Sequence, residues 1–115
     1  RDEWFWNLNP QYQKPDYPFK RVKVWIPIHA EPGQNGLLVE PNSHKRTDIK
    51  WDGALRHGSI KPVMLTEAKD LFPELVINQP GQSIIFNDKL IHGGALNNGV
   101  FCRVSVEFTM LVRAN

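Results

Sequence analysis

The stretch Phe101–Val112, FCRVSVEFTMLV, carries the longest two-residue alternation in the chain. Successive side chains of a strand point to opposite faces. Cys102, Val104, Val106, Phe108 and Met110 therefore form an apolar face, and Arg103, Ser105, Glu107 and Thr109 a polar one. In a small closed sheet one of these faces looks inward. A polar face turned inward would require an anion beside Arg103, because an unpaired buried charge is very costly. The apolar face would then need a cover from outside, and the rest of the chain supplies little that could serve.

Working outward, RVKVWIPI (21–28) reads as a second long strand. Val22, Val24, Ile26 and Ile28 lie on one face and Lys23, Trp25 and Pro27 on the other. Shorter strands are expected at 2–6, 37–40, 60–65, 74–77, 83–87 and 89–93, separated by turns such as EPGQNG (31–36) and NQPGQ (78–82). Residues 41–53 read as a loop, and 66–72 as one helical turn started by Thr66 as its N-cap. Pro10, Pro15 and Pro18 break any helix in the N-terminal twenty residues, so an ordered loop is expected after the first strand. Nine prolines and eight glycines in 115 residues argue against a helical bundle. The expected fold is all-β, an antiparallel sandwich or jelly roll formed by a single domain over 1–115.

Composition excludes several classes. A formal net charge of +2 is too small to argue for nucleic acid. No apolar run approaches the roughly 20 residues that span a bilayer, and RDEWFWNLNP lacks the apolar core of a signal peptide. Cys102, the sole cysteine, cannot form an internal disulfide, which fits a reducing, cytoplasmic setting. It is expected in the core.

The chemistry-bearing residues are few. The histidines are His29, His44, His57 and His92, with no zinc-type Cys/His cluster. A mononuclear iron site of the two-His-one-carboxylate kind needs only a His-x-Asp pair and one distant histidine. His92, at a strand end before a turn, suits the distant position. Arg103 follows eleven residues later, across the Gly/Asn-rich turn. Two antiparallel strands joined there would bring both side chains to one end of the sheet, where a guanidinium offers a bidentate fork to a carboxylate. Ser105, two residues on, shares that face.

The segments VKVWIPIHAEPGQNGLLVEPNSHK (22–45), PGQSIIFNDKLIHGGALNNG (80–99) and CRVSVEFTML (102–111) together resemble the catalytic domain of the phytanoyl-CoA dioxygenase family. The resemblance runs from about residue 2 to 110. It implies a double-stranded β-helix (jelly roll, cupin-like) and an Fe(II)- and 2-oxoglutarate-dependent dioxygenase that hydroxylates a small-molecule substrate. It further implies His92 as the distal iron ligand, Arg103 and Ser105 as the partners of the far carboxylate of 2-oxoglutarate, and Trp25 as a wall of that pocket. The family's His-x-Asp pair lies one strand ahead of VKVWIPI. Asp2 stands in that place, ninety residues before His92, and its histidine partner would precede Arg1. On this reading RDEWFW is a His-x-Asp strand cut within its motif. The chain would then be an N-terminally truncated member, without the helical layer that members carry against the outer sheet face. An uncovered apolar face would favour a homodimer. His29-Ala30-Glu31 is a substitute ligand pair on paper, but it sits where the family has no ligand.

Two other classes remain open at this point. One is a non-catalytic jelly roll in which Arg103 holds a small carboxylate. The other is a carbohydrate-binding sandwich using Trp4, Trp6 and Trp51 as stacking platforms.

Overall fold

The computed structural model describes residues 1–9 and 16–114. Antiparallel strands dominate, arranged in three sheets, with one short helix. The all-β expectation therefore holds at the level of class.

The first sheet is set by the two long alternating segments. Strand β1 (Phe19–His29) pairs along its whole length with the C-terminal strand β8 (Val104–Arg113) and on its other side with β6 (Ile84–Asn87). The β1–β8 register places Lys23 opposite Thr109, Trp25 opposite Glu107 and Pro27 opposite Ser105. Residues directly opposite in an antiparallel pair share a face. Lys23, Trp25 and Pro27 are all buried, so the polar face of β8 is the inner one. The outer face, with Ile28, Ile85, Val104, Val106, Phe108 and Met110, stands largely open to solvent. This is the alternative under which Arg103 needs an anion.

The second sheet has the order β5 (Glu74–Leu75), β2 (Leu37–Val39), β7 (His92–Gly94). It packs on the first through a core of Trp25, Leu37 and Phe86, flanked by Val39, Ile84 and Leu90. The third unit is the hairpin β3 (Trp51–Arg56) and β4 (Ser59–Met64). Its two turn residues, His57 and Gly58, both hold positive φ (50° and 78°). That backbone matches the right-handed twist of the flanking strands.

Several expectations are corrected. Residues 2–6 are not a strand; Asp2–Leu8 form helix α1. Asp2 and Glu3 suit the positive end of the helix dipole. Trp4 is buried and stacks on Trp51 with ring centroids 5.2 Å apart. The Asn9 side-chain amide donates to the Phe5 carbonyl, closing the last turn. Gly53 lets the helix approach β3, since a Cβ there would lie 3.0 Å from a Leu8 methyl. Tertiary packing thus decides the helix, and a seven-residue segment has too little periodicity to reveal it. The segment 41–53 is not all loop: Ser43–Lys45 form a 3₁₀ turn and β3 begins at Trp51. Thr66 does not cap a helix; its hydroxyl accepts from the Lys50 amide, and the short turn runs Ala68–Asp70. Strand β7 covers only His92–Gly94. Cys102 is exposed rather than in the core. Most of the loop expected after the first segment falls at 10–15, outside the described residues. Among the described residues no helix is long and apolar enough to cross a membrane.

Candidate metal centre and anion pocket

His92 opens β7, with its ring against Phe86 at a centroid distance of 4.8 Å. Its Nδ1 lies 2.9 Å from the Leu90 carbonyl. A carbonyl oxygen only accepts, so Nδ1 carries a proton and Nε2 is the ring nitrogen left to face away from the backbone. Nε2 faces Asp2 Oδ2 at 3.5 Å. That oxygen is buried and has no hydrogen-bond donor. A ring nitrogen facing a carboxylate oxygen is satisfied by a proton on the ring or by a metal ion between them.

Helix α1 delivers Asp2 to this point. The helix is held by Trp4 in a core with Ile49 and Ile91, next in sequence to His92. The Arg1 guanidinium donates to the carbonyls of Ser43 and Arg46 and fastens the helix start. Ser43, fully buried, accepts the Ile91 amide on its hydroxyl at 2.8 Å. The PNSHK segment is therefore a brace behind the site, and His44 stands half-buried within it.

Two residues from the first sheet complete the cluster. Glu107 on β8 and Lys23 on β1 share a face by register, Lys23 buried and Glu107 at its exposed rim. The Lys23 ammonium lies 2.7 Å from Glu107 Oε1 and 3.7 Å from Asp2 Oδ2. Ligand-type atoms of Asp2, His92 and Glu107 all lie within 4.8 Å of one another. One imidazole and two carboxylates form an N/O donor set suited to Fe(II) or Mn(II). The donorless Asp2 oxygen and the aimed Nε2 fit a divalent ion. A second histidine is absent from the cluster among the described residues. Asp2 and His92 do come together as expected, but Asp2 arrives from a helix rather than a strand. Glu31 is elsewhere: its carboxylate accepts the backbone amides of Val100 and Phe101 and anchors that loop.

Arg103 is half-buried just ahead of β8. Its guanidinium donates to the Ser105 hydroxyl in a short bond and sits over the Trp25 ring, 5.6 Å from the centroid. It also lies against the backbone of Gly94, where a Cβ would come within 3.5 Å of it. Arg103 forms no ion pair among the described residues. Gly94 and His92 are two residues apart on β7, a rise of roughly 7 Å. Arg103, Ser105 and Trp25 are thus grouped as expected, one short strand away from His92. A cavity of about 200 Å³ lined by Leu38, Met64, Leu71, Pro73 and Ile91 also borders His92.

Sequence reasoning missed Glu107 and Lys23. The signal was present: a lysine between Arg21 and Trp25 on an inward face demands a carboxylate across the ladder. The tryptophan platform expected for sugar binding is not formed. Trp4 is 4% exposed, Trp51 is stacked on it, and the Trp6 ring lies under the Arg21 guanidinium at 4.8 Å. Comparisons with protein families, with curated proteins and with solved structures found no match to this chain.

Proposed function

We propose that this chain is the jelly-roll core of an Fe(II)- and 2-oxoglutarate-dependent dioxygenase of the phytanoyl-CoA dioxygenase type. The observation that carries the reading is Arg103, a half-buried guanidinium without an acidic partner among the described residues, one short strand from a His/carboxylate cluster. A five-carbon dicarboxylate suits that separation. Its far carboxylate would meet the Arg103 fork and the Ser105 hydroxyl, with Trp25 as a wall. Its keto-acid end would reach the Asp2–His92 cluster. When bound there, iron(II) supplies the oxygen chemistry that couples decarboxylation of 2-oxoglutarate to hydroxylation of a C–H bond. The residues of the chain orient and exclude water. Leu38, Met64 and Leu71 offer a small organic substrate an apolar seat beside His92.

The test is an anaerobic titration with iron(II) and 2-oxoglutarate, followed by the weak visible charge-transfer band of the chelate. The band is expected with the native chain and is expected to disappear in Arg103→Ala. No band at any concentration overturns the oxygenase reading. One observation favours a second reading. Lys23 already sits between the two carboxylates, so Arg103 could hold a small carboxylate without metal or chemistry. In that case calorimetry would find 2-oxoglutarate binding that needs Arg103 and ignores iron.

A further inference from the structure

We propose that Glu31 is the positioning residue that fixes Arg103 at a set span from His92, and so selects a five-carbon dicarboxylate over shorter and longer ones. The inference rests on the reading of Arg103 as a carboxylate clamp, and it gives a task at that site to a residue outside the metal cluster.

Three observations support it. First, the ladder leaves Arg103 unfixed. Pairing of β8 with β1 begins at Val104, one residue later, and the register shifts between Pro27 and His29 at that same end. The place of Arg103 along the sheet is therefore set by the loop 95–103 that joins β7 to β8. Second, that loop is tied to the turn between β1 and β2. The Ala95 amide donates to the Gly36 carbonyl at 3.0 Å, and the Asn98 amide to the Gln34 carbonyl at 2.9 Å. Glu31 Oε2 accepts the Val100 amide at 3.1 Å and Oε1 the Phe101 amide at 2.7 Å, two residues before Arg103. Hydrogen bonds to an ionised acceptor are the stronger kind. Glu31 is itself held: its amide donates to Asn35 Oδ1 at 3.0 Å, and Asn35, 2% exposed, donates from Nδ2 to Asn97 Oδ1 at 3.1 Å. Third, the loop leaves room for this carboxylate. Gly99 does not hold a positive φ, so no turn demands a glycine there, yet a Cβ at Gly99 would collide with the Glu31 carboxylate. The clamp bears on selectivity because Arg103 grips only one end of its ligand. A 2-oxo dicarboxylate whose keto-acid end sits at the Asp2–His92 cluster meets the guanidinium only if its length matches the span. An error of about an ångström, roughly what one methylene adds, is enough to lose much of an oriented contact. Ordering the loop in advance also removes that cost from binding.

The test compares 2-oxoglutarate with oxaloacetate and 2-oxoadipate, one carbon shorter and one longer, by anaerobic calorimetry with iron(II) present. The native chain is titrated beside Glu31→Gln, Gly99→Ala and Arg103→Ala. Glutamine keeps one acceptor where two amides donate, and the methyl of Gly99→Ala displaces the carboxylate without removing its charge. Loss of folded protein lowers all three affinities alike, so their ratio reports position rather than stability. The native chain is expected to prefer 2-oxoglutarate about tenfold or more over both neighbours, and Arg103→Ala to lose that preference. Glu31→Gln and Gly99→Ala should lose amide exchange protection at 99–101 while the β1–β8 ladder keeps its own. Both should bind 2-oxoglutarate about tenfold more weakly, with the preference reduced to roughly threefold or less. If both lose that protection yet keep native affinity and preference, Glu31 merely fastens the loop and the proposal fails, while the Arg103 clamp stands. Protection at 99–101 that survives in both variants also overturns it, as does a native chain that binds the three ligands alike. If the native chain binds none of them in a way that needs Arg103, the dicarboxylate reading itself fails.

Discussion

Helix α1 is the weakest support of the strongest chemical feature, and Trp4→Ala tests that dependence. Seven residues are too few for a helix to persist alone in water. What fixes Asp2 beside His92 is the docking of the helix, and Trp4 is its main anchor. Burying an indole removes about 200 Å² from water, worth about 5 kcal/mol. Its stacking on Trp51 adds about 1 kcal/mol. Large-to-small changes at such sites cost about 3–5 kcal/mol when the whole fold bears them. Here the loss falls on one peripheral element, whose remaining ties are Leu8 on Gly53 and the Arg1 guanidinium on two carbonyls. The helix should undock before the sheets melt, and the global cost should saturate at the docking energy. Amide hydrogen exchange is the assay. Residues 3–9 should lose protection while the β1–β8 ladder keeps it, and cobalt(II) affinity should drop to that of Asp2→Ala. Trp4→Phe, which retains most of the area, should keep both properties. Full protection at 3–9 in Trp4→Ala, or cation affinity unchanged while Asp2→Ala loses it, would refute the argument.

Gly53→Ala should act through the same contact. The added methyl meets Leu8 and Ile60 at 3.0 Å, so thermal unfolding should show a loss of about 1 kcal/mol together with faster exchange in the helix. Acid unfolding should reveal Asp48, whose carboxyl is held down to about 2 chiefly by the hydrogen bond from Arg46. A carboxyl depressed in the folded state adds stability above its ordinary range near 3.8. That stability is lost as pH falls toward 2, so Asp48→Asn should lower stability at pH 7, converge with the native chain near pH 2 and thereby flatten the acid limb of the stability curve. The open face of the first sheet should pair with a second copy. Two such faces bury roughly 1,000 Å², near the floor for a specific interface, and Phe108→Glu should convert a concentration-dependent dimer seen by sedimentation into a monomer.

The parts of the fold legible in the sequence are those whose physics is local and repeated. Strands β1 and β8 alternate over ten or more residues, and β8 even announced that its polar face would be the costly one to bury. The hairpin β3–β4 was half hidden, because Asp52 and Gly53 are poor strand formers and the turn uses His57, an unusual residue at positive φ. Its tell was the pair Leu55 and Ile60 flanking His-Gly, which face each other in the ladder. The candidate site divides the same way. Arg103, Ser105 and His92 could be picked out because each breaks the pattern of its own strand. Lys23 and Glu107 were passed over, because the cost of Lys23 shows only once the register of β1 against β8 sets it beside buried Trp25, and Glu107 stays exposed even then. Register is a non-local quantity, and so is the docking that brings Asp2 on its helix to within 3.5 Å of His92. A site assembled from a helix, a three-residue strand and two long strands is therefore read from sequence one ligand at a time. Its charge balance, which decides whether it holds a lysine or a metal ion, becomes visible only when all four elements are in place.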